Sequence, residues 1–233
     1  MSRHFVHDLE EAFHQLLELS GTVEQMIEQS IKALNSRDSQ LAATVIASDE
    51  KIDRTEVQIE EECLKMLALH QPVATDLRRL TTMMKVNNDL EHIADLACGI
   101  AERADRLADY PAFCIPDLIE RMAQQTVLQV RTGLNAFVHH DTSLAEQVIA
   151  SDDDIDRMNG EVIQVLTGQM QTDANWIPPA IECFSAARSL EQIADHAVNV
   201  AEDVIYMVEG VIVRHRYGTR LSGHSDGTPP PGS

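Results

Sequence analysis

The chain repeats itself. The stretch LAATVIASDEKIDR beginning at Leu41 returns as LAEQVIASDDDIDR at Leu144, and LEHIADLACGIAE at Leu90 returns as LEQIADHAVNVAED at Leu190. Two matched blocks in the same order indicate an internal duplication, which constrains every later assignment. Whatever one half of the 233-residue chain folds into, the other half must also fold into.

The repeated pattern is helical. Met83, Val86, Leu90, Ile93, Ala97, Ile100, Ala104 and Leu107 follow one another in steps of three and four, which lines them along one face of a helix. Three such patterns occur per repeat. In the first they run over Phe5–Leu34, Ser39–Leu69 and Thr75–Leu107, ending at NSRDS, at His70-Gln71-Pro72 and before Asp109-Tyr110-Pro111. In the second they run over Pro116–His139, Thr142–Gln169 and Ile177–His215. Proline lacks an amide hydrogen and pushes the residue before it out of the helical region, so these breaks have a cause. Short connections predict antiparallel neighbours. The expected fold is all-α, a tandem duplication of a three-helix bundle. Residues 1–110 form one repeat and 111–217 the other, with a Gly/Ser/Pro-rich tail at 218–233 too poor in apolar groups to order itself. Aromatics at 4% of a 44% hydrophobic composition favour helices over sheets.

Polar residues interrupt the second helix of each repeat. Its stripe reads Val45, Asp49, Ile52, Glu56, Ile59, Cys63, and the copy reads Val148, Asp152, Ile155, Asn159, Val162. Asp49 with Asp53, and Asp152 with Asp156, are pairs one turn apart. The third helices add Glu91 with Asp95, and Glu191 with Asp195. Two such pairs on neighbouring antiparallel helices would make a four-carboxylate cluster. Charges brought together that way repel and resist desolvation, and a cation bound by oxygen ligands relieves both. Glu56 within the stripe, and Glu102 and Glu202 three turns beyond Glu91 and Glu191, form an outer set of candidates. The bland alternatives are solvated carboxylates, or pairing with Lys51, Arg54, Arg157 or Arg188.

A net charge of −20 argues against a nucleic-acid partner. No stretch has the apolar length of a membrane span, and MSRHFVHDLEEAF lacks a signal-peptide core, so membrane contact is expected only through partners. Cys63, Cys98, Cys114 and Cys183 lack zinc-site spacing and read as reduced, largely core residues of a cytoplasmic protein. His139-His140 suits a helix C-terminus, His196 stands next to Asp195, and Trp176 reads as a packing anchor in a loop.

From about His4 to His215 the sequence resembles the PhoU family. The resemblance rests on the four E/D-x-x-x-D pairs in two three-helix repeats, on QPVATDLRRL from Gln71 and on NVAEDVIYMVEG from Asn199. It departs where His92 and Gln192 stand in place of the family's usual Arg, and Asn159 opposite Glu56 makes the two sites unequal. The resemblance implies a regulator rather than an enzyme. Such a protein acts with the ATPase of the phosphate-specific ABC transporter and with a sensor histidine kinase, and suppresses the phosphate-starvation response when phosphate is abundant. It also implies iron or zinc clusters at the paired carboxylates and a homodimer, while the oxygen donors themselves would equally suit manganese or magnesium. The competing reading is a carboxylate-bridged, ferritin-like di-metal protein. That pattern needs Glu-x-x-His on two helices, whereas Asp89 and His92 give the spacing once and Ser189 and Gln192 do not repeat it.

Overall fold

A computed structural model describes residues 3–213. The described residues form six long helices and no strand: α1 (Arg3–Ser36), α2 (Ser39–His70), α3 (Thr75–Leu107), α4 (Asp117–His139), α5 (Thr142–Thr172) and α6 (Ile177–Glu209), with a 3-10 turn at Ala174–Trp176 before α6.

The duplication is visible in the way the helices begin and end. Arg37 and His140 both take left-handed backbone at φ 53°. Asp38 and Asp141 follow them and cap α2 and α5, each carboxylate accepting from the backbone N–H groups two and three residues on. The last helix stops at Glu209 rather than at His215. Gly210 takes φ 73°, and its N–H donates to the Tyr206 carbonyl. The apolar residues beyond it had prolonged the pattern past this stop. α5 instead runs beyond Gln169 to Thr172, where Asp173 turns extended and caps the 3-10 turn. Pro116 precedes the helix that it was expected to open. The proposed tail at 218–233 lies outside the described residues.

Cross-helix contacts show antiparallel neighbours. Cys63 meets Met83 near one end of the α2–α3 pair, and the Cys98 thiol faces the Val45 carbonyl near the other. α3 and α6 also pack antiparallel, with Arg106 beside Glu182 at one end and Lys85 beside Asp203 at the other. Within this α3–α6 seam the Thr82 hydroxyl donates to the Asp203 carbonyl, and Gly99 lies against the Ser189 side chain. Small side chains let two backbones approach closely over a long contact. α1 lies along α4, where Phe13 stacks on Phe137 at 5.4 Å and Arg131 bridges Glu24 and Glu28. The buried apolar residues of all six helices join in one continuous core. Packing left open by the sequence is settled here: the central helices are the third of each repeat, and the second of each repeat lies outside.

Candidate metal centres

Each outer helix presents its carboxylates to the central helix of its own repeat. In the first repeat Asp49 of α2 is half-buried, and its charge opposes Asp53 on its own helix and Asp95 on α3. Glu91 opposes Asp95, Asp53 and Asp49. Glu56 feels Glu91 and Asp53 and also Glu60. Burial is the main reason that the carboxyls of Asp49, Glu56 and Glu91 are held above their ordinary range, and mutual repulsion adds to it. Five of the sequence candidates therefore share one cluster.

In the second repeat Asp152, Asp156, Glu191 and Asp195 oppose one another's charges in the same way, but among the described residues only Glu91, His92 and Asp95 bring three ligand atoms within 4.8 Å of one another. Burial, followed by repulsion from Asp195 and Asp156, pushes Asp152 up to about 6 even though Gln129 donates a hydrogen bond to it. Burial also raises Glu191 and Asp195. Asn159 is 7% exposed and stands where Glu56 stands in the first repeat, so this cluster carries one carboxylate fewer.

Both sites have oxygens that suit a cation. One carboxylate oxygen of Asp49 and one of Glu191 are buried without accepting a hydrogen bond, as is the side-chain oxygen of Asn159. A buried acceptor left unsatisfied is costly, and a coordinated cation satisfies it. Arg188 Nη1 stands 3.6 Å from that same Glu191 oxygen and offsets part of its charge. Two of the other basic residues proposed as pairing partners are engaged elsewhere: Arg54 pairs with Glu50, and Arg157 with Asp154 and Glu161, all on exposed helix surface.

The donor chemistry differs between the sites. Glu91, His92 and Asp95 each offer a ligand atom within 4.8 Å of the others, and His92 Nδ1 lies 2.7 Å from Glu91. An imidazole beside carboxylates suits iron or zinc. The second site has Gln192 at that position and is an oxygen-donor set, which suits harder cations.

Two outer candidates lie elsewhere. Glu102 pairs with Arg103 and Arg106, and Arg106 reaches on to Glu182 of α6. Glu202 lies near Lys85 and Asp203 on the flank of the α3–α6 seam. Each shares a helix face with its cluster, but eleven residues of helix advance about 16 Å along the axis. That exceeds the reach of one ion's ligands.

Three contributors were not singled out from sequence. Gln129 of α4, 4% exposed, donates to Asp152 at 3.3 Å and to the Val148 carbonyl at 3.2 Å. Asn87 of α3, fully buried, donates to the backbone and side chain of Glu56. The Cys98 thiol, which faces the Val45 carbonyl, lies beside Asp49 and is kept neutral because burial pushes it up to about 12. Gln129 had a signal: it interrupts the stripe Met122, Thr126, Gln129, Gly133, Ala136 of α4. His196 does not join the second cluster's ligands; its Nδ1 lies 2.8 Å from buried Asp89 across the seam, with its ring 5.4 Å from that of His92.

A pH dependence follows for the metal-free protein. Asp152 binds its proton more tightly folded, at about 6, than at its ordinary 3.8. The stability that this proton confers is present in full below the lower value and is lost as pH rises through about 6. Asp152→Asn removes the loss. In chelator, the variant should melt level with the parent at pH 4 and be about 1–2 kcal/mol more stable at pH 7.5, allowing for partial exposure. Thermal melts across that range check it, and equal curves at both pH values would contradict it.

Comparisons with known proteins agree on one family. The family model described as PhoU domain matches residues 16–104 and 119–204. The phosphate-specific transport system accessory protein PhoU homolog of Pseudomonas putida is 37% identical over 231 residues, covering 98% of this chain and 90% of that protein. The crystal structure of PhoU from Pseudomonas aeruginosa superposes with a TM-score of 0.86 at 36% identity, over 89% of this chain and 100% of the other. The phosphate transport system regulatory protein PhoU from Streptococcus pneumoniae gives 0.84 at 27% identity, over 90% and 99%.

Proposed function

The chain belongs to the PhoU family, and from that premise we propose that it is an accessory regulator of a phosphate-specific transport system. The observation that carries this reading is the full-length match, which spans both repeats and therefore both carboxylate clusters. In finer detail, it acts in the cytoplasm as an adaptor between the transporter ATPase and a sensor histidine kinase, and represses the starvation response when phosphate is plentiful. No helix among the described residues is long and apolar enough to cross a membrane, so the adaptor meets the membrane through its partners. α2 offers a surface for them: Val57, Leu64 and Leu69 are exposed beside Glu60 and Glu61. The active form is a homodimer.

Bound metal ions belong to the same proposal. Asp49, Asp53, Glu91 and Asp95, with Glu56 and His92 beside them, hold one centre. Asp152, Asp156, Glu191 and Asp195 hold the other. Their chemistry there is charge neutralisation, which removes the repulsion within each cluster and fixes the outer helix against the central one. A non-catalytic role accords with the thiols of Cys63, Cys98 and Cys183, which burial pushes up to about 12, far from nucleophilic. The ferritin-like alternative lacks its second Glu-x-x-His, and Asp89 is engaged with His196.

Deleting the gene in its host should derepress an alkaline phosphatase reporter in phosphate-rich medium, and re-expression should restore repression. An unchanged reporter in a strain without a second family member would refute the regulatory reading.

A further inference from the structure

The duplication builds one corner twice, and the described residues fill one of the two. At the end of α1, Arg37 adopts left-handed backbone and Asp38 N–H donates to the Ala33 carbonyl. The Arg37 guanidinium donates to the Phe113 carbonyl and lies beside Cys183. Phe113 belongs to the linker after α3; it is 3% exposed and packs on Trp176 at 5.8 Å. A turn of the linker carrying an aromatic side chain thus fills this corner, with Phe113 N–H donating to the Tyr110 carbonyl, and a cation receives the Phe113 carbonyl.

At the end of α4 the same frame recurs. His140 takes the same φ as Arg37, Asp141 N–H donates to the Ala136 carbonyl, and Met83 stands where Cys183 stands in the other repeat. Nothing in the described chain plugs this copy. The segment after α6 places Ile212 and Val213 against Thr81, Lys85 and Tyr206 instead. The result is a cavity of about 690 Å³, walled by Leu9, Phe13, Met83, Phe137, Val138 and Met207. Its size and apolar wall between bundle helices match those of binding pockets.

The cation has moved to another helix. Arg79 of α3 is half-buried in the cavity wall, and its charge faces His140. No hydrogen bond or ion pair engages Arg79 among the described residues, although Glu10 and Glu11 stand at the rim and the chain carries a net charge of −20. Most other described arginines are paired. A guanidinium left without an acceptor beside an apolar cavity is placed to receive one from outside.

We propose that this cavity is a docking site for a short turn-forming segment of another protein, which inserts an aromatic side chain and presents a backbone carbonyl to Arg79. The filled corner shows the geometry that the other one completes. The inference is independent of the phosphate reading, since it concerns the form of the ligand rather than the pathway.

The test uses a peptide of this chain's own residues 108–118, fluorescein-labelled and carrying Cys114→Ser, titrated with the full-length protein by anisotropy. We expect saturable binding of one peptide per chain. It should weaken at least about tenfold when the peptide carries Phe113→Ala, and as much when the protein carries Val138→Trp, which fills the cavity. Arg79→Gln should weaken it several-fold, and circular dichroism should show unchanged helix content in both protein variants. Absence of saturable binding, equal binding of the alanine peptide, or indifference to both protein variants would overturn the proposal. Binding that appears only after residues 214–233 are removed would assign the cavity to the chain's own terminus and would also overturn it.

Discussion

Loading chelator-stripped protein with manganese, iron or zinc should raise its melting temperature by roughly 10–20 °C at saturating metal. Asp49, Glu56, Glu91, Asp152, Glu191 and Asp195 are all held above their ordinary range by burial and then by repulsion from neighbouring carboxylates. The metal-free fold therefore carries internal strain at neutral pH, and a cation bound only by the folded state relieves it. A ligand at a hundredfold excess over its dissociation constant contributes about 2.7 kcal/mol per site. Two such sites, at about 2–4 °C per kcal/mol for a chain of this size, give the stated range. The variant carrying Asp49→Ala, Glu91→Ala, Asp152→Ala and Glu191→Ala should be at least as stable as the parent without metal, because buried like charges have been removed. It should not respond to metal. A rise of equal size in parent and variant would place the metal elsewhere.

The second large effect concerns the core shared by the two repeats. Leu90 and Leu190 occupy equivalent positions on α3 and α6, and both are fully buried. Truncating either to alanine removes apolar contact and leaves a cavity in a close-packed interior, costing about 3–4 kcal/mol. The melting temperature should fall by roughly 6–16 °C for each. Because the core is continuous through both repeats, each variant should still unfold in a single transition. Calorimetry checks both points. Two separated transitions, with only one shifted by each substitution, would mean that the repeats fold as independent domains despite their shared core.

Much of this architecture was legible in the sequence because the duplication gives each element a second reading. The matched blocks at Leu41 and Leu144, and at Leu90 and Leu190, tied the helices of one repeat to those of the other. α3 was bounded at Thr75 and Leu107 as the structure has it, since Pro72 precedes it and Pro111 follows it. The end of α6 was misread because Val211, Ile212 and Val213 continue an apolar run, and one glycine outweighs that run once its left-handed cap forms. The four carboxylate pairs were legible because the spacing of four residues fixes a common face. Glu102 and Glu202 were grouped with them by angle alone, and only the axial rise separates them. Gln129 and Asn87 reach their clusters from other elements, and a pattern along one helix does not say which residue of a neighbour it will meet. The cavity at Arg79 is the least legible feature, since α1, α3, α4 and α6 each supply part of its wall.

The central claim, that the paired carboxylates are cation sites built by the duplication, is tested most directly by metal content. Untagged protein purified without chelators should be measured by plasma mass spectrometry beside the four-alanine variant described above. Near-stoichiometric iron, zinc or manganese in the parent, lost in the variant, is the result this account predicts. No metal in either protein after reconstitution, or equal metal in both, would contradict it.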